Sequence, residues 1–100
     1  MQGNASVSAD VLASYAADAI AQVDGVRGVV DSPLPRHRGV RVNGENGRLE
    51  LEVHVALDAG VAVGDVGRAV QRAVADYLER MAGTRPVTVE VVVDEIGARP

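Results

Sequence analysis

From Arg48 to Asp58 the chain alternates without a break, with Leu49, Leu51, Val53, Val55 and Leu57 on one side and Arg48, Glu50, Glu52, His54 and Asp58 on the other. Successive side chains of a strand point to opposite faces, so this period of two predicts a half-buried strand with one charged face. Upstream, Val11, Leu12, Tyr15, Ala16, Ala19, Ile20 and Val23 recur along a single helical stripe, with Ser8 placed to cap its start and Gly25 to end it. Just before that helix, Ala5 to Ser8 reads as a short strand with Val7 inward. Downstream, Val63, Val66, Val70, Ala73, Val74, Tyr77, Leu78 and Met81 trace a second amphipathic helix that Gly83 closes. After Pro86 the period returns to two: Val87, Val89, Val91 and Val93 face the core, Thr88, Glu90 and Asp94 face away, and Val92 is the apolar exception.

Two shorter segments fill the middle. Val26 to Val30 reads as extended and stops at Pro33-Leu34-Pro35. Gly39 to Asn43 sets Val40 and Val42 on one face, and Asn43-Gly44-Glu45-Asn46-Gly47 is rich in residues that tolerate positive φ, which predicts a hairpin into the long strand. The order strand, helix, strand that follows calls for a right-handed crossover and a parallel last strand. Each helix has only one apolar stripe, so both belong on the same side of the sheet. The expected fold is therefore α+β: a two-layer α/β sandwich with a small mixed sheet of three to five strands and two helices on one face. One domain spans residues 1–100, its core running from about residue 5 to residue 96. The other face would carry Glu50, Glu52, His54, Thr88 and Glu90.

Composition narrows the chemistry. There is no Phe or Trp, and Tyr15 and Tyr77 are the only aromatics, so the core is aliphatic and stacking on nucleic-acid bases is not available. The lack of cysteine excludes disulfides, thiolate nucleophiles and Cys-containing zinc sites. The N-terminus has neither a basic region nor an apolar run, and no segment approaches the roughly 20 apolar residues of a membrane span. The expected location is cytoplasmic, or peripheral to a membrane through a partner. The net charge of −4 is uneven: Arg27, Arg36, Arg38, Arg41 and Arg48 against Asp31 and Glu45 give that stretch +3, leaving −7 elsewhere.

Candidates for catalysis fail on geometry. Glu50, Glu52 and His54 align at i, i+2 and i+4, but a solvated strand face lacks the concavity that tunes an acid and a base apart. His54 with Glu50 or Glu52 would need a further metal ligand, and His37 sits in a proline-flanked loop, so no metal or cofactor is expected. No serine or threonine stands in a G-x-S-x-G elbow. Gly60, Gly64 and Gly67 fit no phosphate-binding fingerprint, and Gly67 reads better as a close-packing position on the second helix. Arg36, Arg38, Arg41 and Arg48 form the alternative, an anion-contacting patch for RNA or lipid headgroups.

Three stretches resemble the alkaline-shock protein family, the Gls-type envelope stress response proteins of mainly Gram-positive bacteria. They are Tyr15-Ala16-Ala17 through Val23-Asp24-Gly25-Val26-Arg27-Gly28-Val29, the hairpin Gly39-Val40-Arg41-Val42 with Leu49 to Val55, and Val66 to Val93 with Val70-Gln71 and Met81-Ala82-Gly83. The resemblance implies a small cytoplasmic domain that is not an enzyme. It would act in envelope homeostasis by self-association or by docking to a membrane-anchor protein. The sequence departs from the family at Ala59, where an aromatic commonly precedes the glycine, and the long charged C-terminal extension of some members is not expected here. The partner-contact face expected for such a role is Glu50, Glu52, His54, Glu90 and Val92, together with the sheet edges.

Overall fold

The computed structural model describes residues 8–30, 39–44 and 48–97. Its elements are α1 (Ala9–Ile20), β1 (Val26–Val29), β2 (Val40–Asn43), β3 (Glu50–Leu57), α2 (Val63–Ala82) and β4 (Thr88–Ile96). Local chemistry sets their ends. Ser8 takes extended backbone and its side-chain oxygen accepts from the Val11 N–H at 3.2 Å, satisfying one of the unpaired donors of the first turn. Gly83, at φ +72°, ends α2 in the left-handed conformation and donates its N–H to the Glu79 carbonyl at 3.0 Å. The segment expected as a strand at residues 5–7 lies outside the described residues, and Ser8 itself caps the helix.

Among the described residues, β3 is the centre of a four-stranded mixed sheet. On one edge it pairs antiparallel with β2, from Val40 opposite Val53 to Asn43 opposite Glu50. On the other it pairs parallel with β4, from Glu50 beside Thr88 to Leu57 beside Ile96, with a register shift between Val55 and Ala56. β1 is also antiparallel to β3, running from Val26 opposite Leu57 to Val29 opposite Val55. β1 and β2 therefore share one edge end to end, and His54 marks the junction. Its backbone C=O accepts from Val30 at 2.9 Å and its N–H donates to the Gly39 carbonyl at 2.8 Å.

Both helices cover the same face. Ile20, Val53, Val55, Leu57, Val70, Val74 and Leu78 are fully buried between the layers. Tyr15 and Tyr77 meet edge to face with ring centroids 6.0 Å apart, joining α1 to α2, and the Arg80 guanidinium lies over the Tyr77 ring at 5.3 Å. Expectations fail at the element ends. Val11, Val63 and Met81 fall in terminal turns and Val87 precedes its strand, so all four are exposed where core positions were expected. Gly67 is not a close-packing position either, since a Cβ there would meet no heavy atom within 4 Å.

Candidate functional site: the outer face of the sheet

With both helices on one side, the even-numbered side chains of β3 are left without a covering layer among the described residues. Register sets Glu50 beside Thr88, Glu52 beside Glu90 and His54 beside Val92. Across the other edge Arg41 lies opposite Glu52 and Asn43 opposite Glu50. Glu50, Glu52, His54, Glu90 and Val92 thus occupy one continuous surface spanning two strands. Alternation alone puts them on a common side, and the parallel register makes them neighbours.

His54 is the ordered centre of this surface. Its Nε2 lies 2.6 Å from Glu52 Oε2 and its Nδ1 lies 2.8 Å from Asp94 Oδ2. A neutral imidazole donates from one nitrogen only, so two carboxylate partners favour the doubly protonated ring. The hydrogen bond to Glu52 raises the His54 pKa most, that to Asp94 next, and partial burial offsets them in part. Asp94 is the site residue that the sequence reading passed over. It was placed on the correct side of its strand, but the strand-to-strand pairing that carries it to His54 spans 40 residues.

This arrangement has little to offer catalysis. Both imidazole nitrogens are engaged, the face is open, and among the described residues no group of three or more His, Asp or Glu is arranged to hold a metal ion. A depression lies instead along the start of β4, where Asn43, Glu50, Gln71, Arg85, Val87 and Glu90 are among its lining residues. Arg85 pairs there with Asp76 at 3.0 Å and Glu79 at 2.8 Å, and these carboxylates raise its pKa. At the start of α2, Asp65 is paired with Arg68, and Gly64 lies near that guanidinium. Of the arginine patch, Arg41 and Arg48 are exposed, with Arg41 set against the acidic face, while Arg36 and Arg38 lie outside the described residues.

A family described by its cell envelope-related function, that of alkaline-shock protein 23, matches residues 1–98. The chain belongs to this family. No curated protein sequence matches it. Among solved structures, a single-site variant of the MamM CTD aligns with a TM-score of 0.62 and 19% identity over 85% of this chain and 92% of that one. A double variant of the same domain reaches 0.64 and 20% identity over 90% and 93%. The nickel form of a further variant gives 0.62 and 19% over 85% and 95%. At such identity the likeness is one of fold. The family member described here is thus an α+β domain with an envelope-related role, and no helix among its described residues is long and apolar enough to cross a membrane.

Proposed function

We propose that this chain is a non-enzymatic interaction domain of envelope homeostasis, acting by self-association or by docking to a membrane-anchored partner, with the outer sheet face as its contact surface. One observation carries the reading: among the described residues, the two-layer fold leaves the outer sheet face without a covering layer. That face is organised by the Glu52–His54–Asp94 hydrogen bonds, and among the described residues the depression that reaches its Glu50, Glu52 and Glu90 end is open to solvent. An open, charged surface with an apolar Val92 at its middle suits surface complementarity rather than substrate capture.

The test is position-specific photocrosslinking in cells. A photoreactive residue replacing Glu90 or Val92 should give discrete adducts in the envelope fraction. The same residue replacing Asp76, which is exposed on α2, should give none. Equal labelling from all three positions, or labelling from Asp76 alone, would remove the sheet face as the contact surface. Light scattering across a concentration series separates the two arms, because a chain that stays monomeric leaves only the heterotypic one.

A further inference from the structure

β4 is an edge strand with an unusual composition. Among the described residues it pairs with β3 alone, and its middle reads Val89-Glu90-Val91-Val92-Val93. Val89, Val91 and Val93 lie on the helix-covered side and pack against the core, yet they stay half-buried where Val53 and Val55 of the adjoining strand are 0% exposed. What they lack is a neighbouring strand. Exposed Val87 and Ile96 extend the apolar line at either end.

The direction of the backbone groups follows from the ladder. His54 turns its N–H and C=O toward β1 and β2, so the alternate residues of β3, Leu51, Val53, Val55 and Leu57, turn theirs toward β4. In the parallel register, Glu90 and Val92 answer them. The N–H and C=O groups of Val89, Val91 and Val93 therefore point outward. Gln71 Nε2 donates to the Val89 carbonyl at 3.1 Å, as that direction requires.

We propose that this edge pairs antiparallel with the same edge of a second copy of the chain, about a two-fold axis at Val91. The proposal rests on the self-association arm of the function proposed above. Charge selects the register. With the axis at Val91, Val89 faces Val93 of the partner subunit on the helix side, and Glu90 faces Val92 of the partner subunit on the outer side. Moving the axis to Glu90 sets two glutamates directly opposite each other, and moving it to Val92 sets Glu90 against Asp94 of the partner subunit. Like charges directly opposite destabilise a strand pair, so of these three axes the one at Val91 matches valine to valine and keeps the carboxylates apart. Gln71, on the exposed side of α2, must release the Val89 carbonyl as the second strand arrives.

Sedimentation equilibrium of the full chain, from about 5 to about 500 μM because single-strand interfaces are small and weak, provides the test. The chain should show a monomer–dimer equilibrium. Val91→Pro removes an outward N–H that the monomer does not use and should abolish the dimer while leaving the circular dichroism spectrum unchanged. Val92→Arg sets a guanidinium against Glu90 of the partner subunit twice per dimer and should tighten it roughly 2- to 30-fold. Val92→Glu should dissociate it, which keeps the test decisive if the proline variant does not fold. A dimer indifferent to the Val92 substitutions would overturn this interface and leave self-association standing. A chain monomeric at the highest concentration would overturn both, while crosslinks from the sheet face would still support heterotypic docking.

Discussion

His54 is held by carboxylates from two strands, Glu52 on its own and Asp94 on β4, so its charge state ties β3 to β4. Because the folded pKa is raised above the 6.5 of an ordinary histidine, the tie contributes fully below that value and is lost as pH rises through the folded pKa. His54→Gln should therefore lower stability by about 1 kcal/mol in acid and by progressively less in base. Urea denaturation of both proteins across pH 5 to about 9 measures this, and a pH-independent gap would show that the imidazolium is not the tie. Glycines give a second test at this scale. Gly39 has φ +83°, and a Cβ there would run into the Val30 carbonyl and the Val29 side chain, so Gly39→Ala should cost about 1–3 kcal/mol. Gly67 sits inside α2 with open space around it, so Gly67→Ala should stabilise by about 0.5–1 kcal/mol, read as a rise in the thermal midpoint. Reading Gly67 as a packing position failed because glycine spacing does not reveal what lies across from it.

At the level of elements, the caps and the core stripes make separable contributions. Ser8→Ala removes the bond to Val11 and should cost about 1 kcal/mol, whereas Leu78→Ala opens a cavity in the core beneath α2 and should cost about 2–5 kcal/mol. Equal losses in thermal unfolding would mean that a helix cap counts for as much here as a fully buried core side chain. Both helices, the long strand and the hairpin were legible in the sequence because periods of 3.6 and 2 are local properties, and the parallel β4 followed from connection handedness. Two features were not legible. β1 and β2 share one edge of β3 because Val30 and Gly39, on either side of the proline-rich stretch, both bond to His54, and no local pattern encodes that pairing. The Asp94 contact depends on the strand-to-strand register, which shifts between Val55 and Ala56, another long-range property. Residues at element ends misled for a related reason. Val11, Val63, Met81 and Val87 continue an apolar pattern beyond the area that the facing layer covers.

Over the whole molecule, charge separates what the two classes of partner considered from the sequence would have to bring. Glu50, Glu52, Glu90 and Asp94 gather on the outer face, where Arg41 and the His54 imidazolium offset them only in part. With a net charge of −4 overall, the surface that the fold leaves open repels anionic headgroups and RNA phosphates, and pairing through β4 would double the acidic area. A partner that docks on this face, as proposed, would bring positive charge to it, and its association should weaken as salt shortens the Debye length from about 30 Å at 0.01 M to about 8 Å at 0.15 M. Vesicle co-sedimentation at low salt tests the opposite tendency. The chain should stay in the supernatant with vesicles containing about a third anionic lipid, and Arg41→Ser with Arg48→Ser should change nothing. Glu50→Arg with Glu90→Arg, which inverts the sign at two points of the same face, should carry the protein into the pellet. Sedimentation of the unmodified chain, relieved by removing the arginines, would instead make the basic stretch from Arg27 to Arg48 the functional surface and the acidic sheet face its solvated counterpart.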